Sequence, residues 1–354
     1  MNRIGVAIVG VNGAVASTVI AGVQLMKRGI APRIGMVTER TEARIAESLT
    51  ELLDFAPLES LVFGGWDIKF ANCYEGALSH RVIPEHVLEK VRPELERVRP
   101  WPAVFAQSYV QNVDGANVVA ATTHRGQIAV LERQLETFRK EHGLDRMVMV
   151  NLASTEGFLE TQAVHRDLRA FEAGLDSSDP SISPAMRYFY TANKLQIPYC
   201  NFTPSLTNVP ALEQQAHEMA NPFAGMDGKT GQTLLKTALA PMFRARRLRI
   251  DGWYSTNILG NSDGLVLEAP SSNKTKVMSK AAVLDSIVGY HVQNHQVHIH
   301  YYKPRGDQKE AWDNIDIVGF GGIQMQIKVN FLCSDSGLAA PLVVDLVRLL
   351  DVAK

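Results

Sequence analysis

Three lysines lie in one short polar stretch of the chain and could bind an anion. Lys274, Lys276 and Lys280 lie within 271–280, and helix-like sequence begins only after Ser279, which predicts Lys280 in the first turn of a helix. The unpaired N–H groups of such a turn already make it positive, so a further cation is unfavourable unless an anion lies opposite. The stretch therefore predicts an anionic ligand beside these amines.

A second stretch, residues 225–239, has the residue types of an anion-binding helix start. Thr230 is expected to cap a helix, Gly231 permits a close approach, and Gln232 and Thr233 add donors in the first turn. Backbone N–H groups and the helix dipole at such a position suit a phosphate. Taken alone, the stretch is better explained as an ordinary capped helix. Beside the lysine cluster it predicts a phosphorylated ligand between the two segments.

A glycine-containing turn near the N-terminus is the candidate nucleotide site. Residues 10–17, GVNGAVAS, follow a buried strand and open a helix, where N–H groups can hold a pyrophosphate. The match to GxGxxG is imperfect, because Asn12 replaces the second glycine and Val15 the third, so a plain strand-to-helix turn is the alternative. The N-terminal position favours a dinucleotide. Glu39, ending a strand predicted over 34–39, is the ribose candidate by position, with a solvated loop glutamate as its alternative.

Bulk properties set the class of protein. The chain has 354 residues, enough for two domains with substantial cores, and 46% of them are apolar. The formal net charge of −1 creates no global field, so we expect neither nucleic acid nor a membrane as a partner. Cys73, Cys200 and Cys333 are too scattered for disulfides or a metal motif and predict a reducing cytoplasm. The sequence shows no signal peptide and no apolar run of membrane length.

The elements that must position these residues change character along the chain. Before residue 231, apolar runs such as 146–154 alternate with helices such as 126–142, which predicts a doubly wound parallel α/β sheet of Rossmann type. Residues 174–184 are expected to form a surface loop, and residues 260–264, GNSDG, a turn. After residue 231, four segments, several with period-two alternation, predict a mixed or antiparallel sheet in a second α+β domain. Residues 337–353 predict an amphipathic helix that packs back on the first domain.

Seven segments, taken in order, resemble one known family, the myo-inositol-phosphate synthases (3-phosphate or 1-phosphate synthases), and above all its eukaryote-like branch. The resemblance covers nearly the whole chain, and seven ordered segments are far more specific than any single one. It implies an NAD-binding Rossmann-like domain over 1–231, a catalytic and oligomerisation domain over 232–336, and a C-terminal helix over 337–354 that returns to the first domain. The segments are FGGWDI (63–68), NFTPSLTNVP (201–210), KTGQT (229–233), ILGNSDG (258–264), SNKTKVMSK (272–280), KPRGDQKEAWD (303–313) and CSDSGLAAPLVVDL (333–346).

The resemblance implies a redox-neutral cyclisation of a hexose phosphate, D-glucose 6-phosphate to 1D-myo-inositol 3-phosphate, with NAD as the cofactor. C5 gives a hydride to NAD as its hydroxyl group is oxidised to a ketone, the ketone acidifies C6, the C6 enolate attacks the C1 aldehyde, and the hydride returns to C5. Oxyanions develop at C5 and C1, and one preorganised donor stabilises such charge by ~3–4 kcal/mol. Proton transfer calls for amines whose pKa is lowered by neighbouring cations and burial.

The family's three active-site lysines match Lys276, Lys280 and Lys309. On this basis Lys276 is expected to stabilise the oxyanion, Lys280 to bind the phosphate or polarise the aldehyde, and Lys309 to handle the proton at the C5 oxygen. The three acids that match the family's active-site carboxylates, Asp227, Asp263 and Asp335, each have a plainer interpretation as the cap of a turn or helix. The resemblance further assigns Asp227, Asp263 and Asn261 to the catalytic set, Thr230, Gly231, Gln232 and Thr233 to the substrate phosphate, and Gly10, Asn12, Gly13, Ala14, Val15, Asp67, Ala153, Ser154 and Asp335 to the cofactor, with Asp67 preferred to Glu39.

Three departures from the family pattern leave other functions open. Asn12 and Ala16 stand where the eukaryote-like glycine turn has glycine, and Met226 replaces the first acid of a Gly-Asp-Asp, which leaves Asp227. The sequence ends at Lys354, where the family continues through a tail with a further active-site lysine. One alternative is a sister cyclase that closes fructose 6-phosphate from C6 to C2 into a five-membered cyclitol phosphate. Another is a non-catalytic NAD- or metabolite-binding protein, against which the three retained lysines argue.

Histidines near residue 300 raise the question of a metal. His298 and His300 alternate, so they share one face of a predicted strand, with His291 and His295 upstream. Solvated or hydrogen-bonded histidines account for this pattern better than metal ligands do. The resemblance leaves a divalent or monovalent cation open as a second cofactor. The strands after residue 245 resemble the family's tetramerisation sheet, which implies a homotetramer.

Overall fold

The computed structural model describes residues 2–39 and 49–354, apart from the side chains of residues 279–282. Its strands are β1 (Ile4–Val9), β2 (Leu61–Asp67), β3 (Trp101–Pro102), β4 (Arg146–Asn151), β5 (Tyr199–Asn201), β6 (Phe223–Gly225), β7 (Arg249–Leu259), β8 (Asn294–Tyr301), β9 (Gln308–Val318) and β10 (Gln324–Ser334). Its α-helices are α1 (Ala14–Lys27), α2 (Leu49–Leu52), α3 (Cys73–His80), α4 (Glu85–Leu88), α5 (Arg92–Arg97), α6 (His124–His142), α7 (Leu168–Ser177), α8 (Pro184–Lys194), α9 (Pro210–Glu218), α10 (Gln232–Ala245), α11 (Ser262–Val266), α12 (Pro270–Val288) and α13 (Asp335–Ala353). Within these described ranges the strands form two sheets, in the orders β3-β2-β1-β4-β5-β6 and β10-β9-β7-β8.

The first sheet is parallel throughout, and β1 lies at its centre between β2 and β4. Every residue of β1 is buried, because α1, α3 and α13 cover one face of the sheet while α6, α8 and α9 cover the other. The strand order reverses between β1 and β4, and sheets of this kind bind ligands in the crevice at the carboxyl ends of the strands beside that point. The doubly wound fold predicted from the sequence is confirmed.

The second strand of this sheet is not where the sequence predicted it. Residues 34–39 form turns and irregular structure, with Ile34 73% and Val37 60% exposed, and the strand beside β1 is β2. Two glycines interrupt the apolar pattern by which β2 could be recognised as a strand. Packing requires one of them, because a Cβ on Gly65 would lie 2.0 Å from the carbonyl oxygen of Ile8. The prediction of a strand over 34–39 is wrong because it rested on a short apolar run alone.

The second sheet is mixed, as predicted. β7 runs parallel to β8 and antiparallel to β9, and β9 pairs antiparallel with β10. One face packs Trp253 and Ile315 against Phe243 of α10 and Leu284 of α12. Lys309 of β9 is an even number of residues from Ile315, so strand alternation turns its side chain to the same covered face, where it is buried. The pleat of the strand therefore brings this amine towards the helices.

The helix that carries the lysine cluster begins earlier than predicted. α12 starts at Pro270, a favourable first helical residue, rather than after Ser279. Lys280 consequently lies in the helix interior rather than in its first turn, and its side chain falls outside the described residues. The first turns of α12 bury polar side chains such as Ser272, so no apolar periodicity marks them in the sequence.

The C-terminal helix packs on the parallel sheet. α13 lies against α1 and β4, its Asp345 accepts the N–H group of Thr38 at 3.0 Å, and its Arg348 pairs with Glu39 at 2.7 Å. Glu39 therefore contacts the C-terminal helix, and its assignment to a ribose stays a prediction. The domain boundaries at residues 231 and 336 stay a prediction. Among the described residues, no helix combines the length and the apolar character needed to cross a membrane.

Two predicted turns are shorter than expected. α7 extends to Ser177, so only part of the loop predicted over 174–184 is irregular. The turn predicted at residues 260–264 becomes the start of α11, with Asn261 as its N-cap. In both cases a helix end occupies residues whose types are typical of turns, because Asn, Asp and Ser favour helix caps as well as turns.

Candidate active site

A cavity of about 420 Å³ lies at the carboxyl ends of β1, β2 and β4 and extends to the mixed sheet. This is the place at which the parallel sheet reverses its strand order. The cavity joins the two candidate sites of the sequence, with the glycine turn at one end and the lysines at the other. The predicted site residues that line it are Gly10, Asn12, Gly13, Ala14, Val15, Asp67, Ala153, Ser154, Asp227, Thr230, Asn261, Asp263, Lys276, Lys309 and Asp335.

The glycine turn after β1 fits a dinucleotide. Gly10 has a φ of +82°, and a Cβ there would lie 3.1 Å from the backbone of Ala153, so the turn approaches the end of β4 closely. Gly13 is the N-cap of α1, which has neither a side-chain cap nor an acidic residue in its first turn. Because Ala14 and Val15 line the cavity, the positive end of α1 is available to an anion. These are the properties that a pyrophosphate needs, so the residues present fit NAD.

Asn12, which stands at a glycine position of the family pattern, is tied into the turn by several contacts. Its N–H group donates to Asp67 Oδ2 at 3.1 Å, its side-chain amide donates to the carbonyl oxygen of Ala71, and its own carbonyl oxygen lies 2.9 Å from a ring nitrogen of His80. Asp67 also accepts the N–H group of Lys69 at 3.0 Å, and burial raises the pKa of its carboxyl group. His80 and Lys69 line the cavity as well, although no sequence pattern marked them.

Lys276 is held as an ammonium by two carboxylates. Its Nζ lies 3.0 Å from Asp227 Oδ1 and 3.7 Å from Asp263 Oδ2. Burial by itself lowers the pKa of this amine, but the charges of Asp227 and Asp263 outweigh burial and raise the pKa above its ordinary value. The lowered pKa expected of proton-transfer amines is thus not found at Lys276, the lysine that the sequence assigned to the oxyanion instead. A retained positive charge suits the stabilisation of an oxyanion rather than the removal of a proton.

Lys309 forms a second buried ion pair at the same end of the cavity. Its Nζ donates to Asp335 Oδ1 and lies 3.1 Å from Thr230 Oγ1, and the Thr230 hydroxyl lies 2.9 Å from Asp335 Oδ1. Burial raises the pKa of Asp335, but the Lys309 charge and these hydrogen bonds outweigh burial and hold that pKa below its ordinary value. The amine, the hydroxyl and the carboxylate thus form a triangle that fixes the direction of the amine.

Gly231 makes room for Lys309. The φ of Gly231 is +55°, and a Cβ there would lie 2.7 Å from Lys309 Cδ. Gly231, rather than Thr230, is the N-cap of α10, so the predicted capping role of Thr230 is wrong. The Thr230 hydroxyl bonds to Asp335 instead, which leaves the start of α10 without a side-chain cap.

Several polar atoms near the start of α10 and α12 are buried and have no hydrogen-bond partner in the part of the chain that the structure describes. They are Nε2 of Gln232, Oδ1 of Asn257 and Oγ of Ser272. Asn257 Oδ1 lies 3.4 Å from the Cβ position of Gly231. Buried polar groups in proteins are nearly always paired, so these atoms are hydrogen-bonding groups that a ligand could use. Gly231, Gln232 and the buried Thr233 do not line the cavity, and their assignment to a phosphate stays a prediction.

Asn261 and Asp263 come from the start of α11. Asn261 is the N-cap, and its Oδ1 accepts the N–H group of Gly264 at 3.1 Å. This cap fixes the first helical turn, which carries Asp263 towards Lys276. Both residues line the cavity.

Sequence reasoning missed the apolar side of the cavity. Ile68 follows β2, Phe105, Val110 and Val113 lie in the chain after β3, and Phe202 follows β5. Contact with a flat ring requires only apolar surface, which no spacing motif encodes. The signal that could have found them is their position just after the carboxyl ends of parallel strands.

The histidines of β8 are not gathered around a metal within the described residues. The rings of His298 and His300 are parallel with centroids 6.3 Å apart, and His291 contacts Asp285 at 2.7 Å. In the described part of the chain, no group of three or more His, Cys, Asp or Glu side chains is placed to hold a metal ion. The cation requirement stays a prediction.

Comparison with known sequences identifies the family. The family model described as Myo-inositol-1-phosphate synthase, which belongs to the NAD-binding class, matches residues 4–354. Inositol-3-phosphate synthase 1 of Bacteroides thetaiotaomicron is 42% identical over 364 aligned residues, which cover 99% of this chain and 85% of the relative. Probable inositol 3-phosphate synthase isozyme 3 of Arabidopsis thaliana is 30% identical, with 99% and 74% covered.

Solved structures share the fold. Inositol-3-phosphate synthase from Caenorhabditis elegans superposes with a TM-score of 0.93 at 23% identity, covering 99% of this chain and 75% of that one. A myo-inositol-1-phosphate synthase-related protein from Thermotoga maritima gives 0.76 at 23% identity, covering 99% and 88%. At these identities the structures establish the fold, and the family rests on the sequence matches. The chain therefore belongs to the myo-inositol-1-phosphate synthase family and is a sugar-phosphate cyclase of that family.

Proposed function

We propose that the protein converts D-glucose 6-phosphate into 1D-myo-inositol 3-phosphate, with NAD regenerated in each cycle. The observation that carries the proposal is a single cavity with the uncapped glycine turn at one end and Lys276 and Lys309 at the other. Simple oxidation of an alcohol needs no pair of lysines held against carboxylates. Ring closure through an enolate creates oxyanions, and for these a pair of fixed ammonium groups is well suited.

The proposed reaction conserves atoms and redox state. NAD held at the glycine turn would supply reversible hydride chemistry at C5. The C5 hydroxyl loses a proton as its carbon is oxidised and regains one when the carbon is reduced. C6 loses a proton to give the enolate, and formation of the C6–C1 bond converts the C1 aldehyde oxygen into a hydroxyl. The product is therefore an isomer of the substrate.

Lys276 is proposed to stabilise the oxyanion. The carboxylates of Asp227 and Asp263 keep its amine protonated and hold it in one direction. A donor fixed in advance needs no reorganisation when charge develops, and one such donor contributes ~3–4 kcal/mol of transition-state stabilisation. The two acids thus act through Lys276.

Lys309 is proposed to handle the proton at the C5 oxygen. Asp335 stabilises the ammonium form when the amine holds the proton, and the Thr230 hydroxyl fixes the direction of the amine. Lys280 is proposed, from the sequence alone, to bind the phosphate or polarise the aldehyde.

The start of α10, residues 230–233, is proposed to bind the substrate phosphate. α10 has 14 residues and no side-chain cap, so its dipole and its first N–H groups favour an anion. Nε2 of Gln232 adds a buried donor that has no partner among the described residues. Lys309 lies beside Gly231, which places a cation at the same helix start.

The proposal is tested by incubating the purified protein and NAD with D-glucose 6-phosphate and, separately, with D-fructose 6-phosphate. Proton and phosphorus NMR identify the products, and we expect an inositol phosphate from the glucose ester only. A five-membered cyclitol phosphate from the fructose ester would establish the sister cyclase instead. NAD binding without turnover of either ester would favour a non-catalytic metabolite-binding protein. Repeating the assay with a chelator and with added cations decides the cation requirement.

We also propose a homotetramer assembled through the mixed sheet. The uncovered face carries Tyr254 of β7 and Trp312 of β9, both about half exposed, and Phe320 and Ile323 in the β9–β10 connection are exposed too. Grouped large apolar side chains at a surface mark interaction sites. Light scattering on the purified protein should give the mass of four chains, and a monomer at assay concentration would contradict the proposal.

A further inference from the structure

Lys236 is a fully buried lysine to which the proposed reaction gives no role. It lies on α10, one turn after Gln232, with 0% of its surface exposed. Its Nζ donates to Oε1 of Gln232 at 3.0 Å. Burial of an ammonium is unfavourable unless its charge is compensated, so the surroundings of Lys236 must provide that compensation. Through its bond to Gln232, Lys236 contacts the segment, residues 230–233, that is proposed to bind a phosphate.

The hydrogen bond from Lys236 determines how the Gln232 amide is oriented. An ammonium group can only donate, so it selects the amide oxygen and leaves the Nε2 group directed elsewhere. That Nε2 group is buried and has no hydrogen-bond partner in the described ranges of the chain. Gln232 is the first residue of α10, so its backbone N–H group lies at the helix end where an anion is favoured, and Nε2 is a second donor on the same residue.

A neighbouring histidine responds to the charge of Lys236. Burial lowers the pKa of His295 on β8, and the Lys236 ammonium lowers it further, to about 4. His295 is therefore neutral at physiological pH and adds no second positive charge beside Lys236. The influence of Lys236 on its surroundings can be measured through this histidine.

We propose that Lys236 is a positioning residue for the substrate phosphate. It fixes the side-chain amide of Gln232 so that Nε2 can donate to the phosphate, and it places a cation behind the start of α10. The inference rests on the proposed hexose-phosphate substrate, because an anionic ligand uses both the donor and the cation. It assigns phosphate affinity, rather than the chemistry of ring closure, to this lysine.

The test compares Lys236→Met, which is similar in length but has no charge and no donor, with Lys27→Met. Lys27 is a partly buried lysine at the end of α1, where its Nζ donates to the carbonyl oxygen of Leu61 at 2.8 Å. The affinity for inorganic phosphate, measured by calorimetry, should fall about tenfold in Lys236→Met and stay within about twofold of wild type in Lys27→Met. KM for D-glucose 6-phosphate should rise about tenfold in Lys236→Met, with kcat within about threefold.

A second variant tests the link through Gln232 independently. Gln232→Met keeps the charge of Lys236 but lacks the donor, so it should also weaken phosphate binding, and combining it with Lys236→Met should cost less than the sum of the two single losses. The pKa of His295, followed by NMR, should rise in Lys236→Met, because the ammonium lowers it in the wild type.

Unchanged phosphate affinity in a folded Lys236→Met protein overturns the inference. If that variant does not fold, Gln232→Met decides in its place, and unchanged phosphate affinity there has the same consequence. Absence of turnover by the wild type would refute the proposed function, whereas the phosphate titrations would still decide the role of Lys236.

Discussion

The two ends of the cavity attract negative charge by different means. At the glycine turn the protein offers backbone, since α1 starts without a side-chain cap and Gly10 approaches the end of β4 closely. At the other end it offers side chains, since Lys276 and Lys309 are each held against carboxylates. Backbone donors keep their polarity at every pH, while each lysine depends on its partner acids. Substitutions at the lysine end should therefore change turnover, and those at the turn should change cofactor affinity.

The largest effect is expected from Lys276→Met. Loss of a preorganised ammonium removes ~4 kcal/mol of transition-state stabilisation, so kcat should fall about a thousandfold. NAD affinity should stay within about twofold, because the glycine turn does not depend on this side chain. NMR-monitored turnover and calorimetric NAD titration measure the two quantities. Full turnover would refute the role of Lys276, and an equal loss of NAD affinity would show that the two ends are not separable.

Asp335→Asn is expected to have the second largest effect. The variant keeps the shape of the side chain but removes the charge that holds the Lys309 amine, so kcat should fall about a hundredfold. KM should change much less, since the amine is assigned to proton transfer rather than to binding. Steady-state kinetics with D-glucose 6-phosphate separate the two parameters. A rise in KM alone would indicate that Lys309 binds the substrate rather than transfers a proton.

The same substitution should change how stability depends on pH. The pKa of Asp335 is depressed in the folded protein, so its contribution to stability is present above the unfolded-state pKa of about 3.9 and is lost as pH falls through the folded value. The difference in the free energy of unfolding between wild type and Asp335→Asn should stay constant from about pH 7 to about pH 5 and shrink below about pH 4. Urea unfolding at each pH measures it. A difference that grew on acidification would reverse the assigned sign.

A smaller effect is expected at the nucleotide end, from Asp67→Ala. The variant loses a hydrogen bond to the N–H group of Asn12 and the predicted contact with the ribose. The Kd for NAD should rise about tenfold, and kcat at saturating NAD should stay within about twofold of wild type. A loss of kcat that excess NAD does not restore would argue against a purely cofactor-binding role.

The smallest effect is expected from Lys274→Met, which serves as the control for Lys276→Met on the same helix. Lys274 is exposed and its Nζ lies 3.8 Å from the centre of the Phe158 ring, a cation–π contact outside the cavity lining. The free energy of unfolding should fall by ~0.5–1 kcal/mol, with turnover unchanged. Urea unfolding and the NMR assay test both. A large loss of turnover here would mean that general disturbance of α12 explains the Lys276→Met result.

The sheets could be predicted from the sequence wherever burial leaves a local pattern. The apolar run of β1 and the alternation of β7 and β9 are such patterns, and both sheets form as expected. β2 could not be found in this way, because it contains Gly64 and Gly65, which leave no apolar pattern. Both positions lie too close to residues distant in sequence to accept a side chain without a shift. A Cβ on Gly64 would lie 2.9 Å from the ring of Phe138, which only the folded structure brings near.

Many of the residues that line the cavity could be named from family resemblance, but their electrostatics could not. The raised pKa of Lys276 depends on Asp227 and Asp263, which arrive from other elements. Thr230 has the residue type of a helix cap, yet its hydroxyl bonds to Asp335, 105 residues along the chain. Charge states and hydrogen-bond partners of this kind depend on contacts distant in sequence, for which no spacing rule exists.

The path of α13 has a consequence for the catalytic cycle. The helix begins at Asp335, bonded to Lys309, and its body packs against α1, which itself begins at the glycine turn. α13 thus links the lysine end of the cavity to the helix that follows the glycine turn. Moving the two ends apart would require breaking the Lys309–Asp335 ion pair or separating α13 from α1. In the proposed reaction, a fixed separation of the two ends would let C5 lose and regain a hydride without the cavity opening between the two steps.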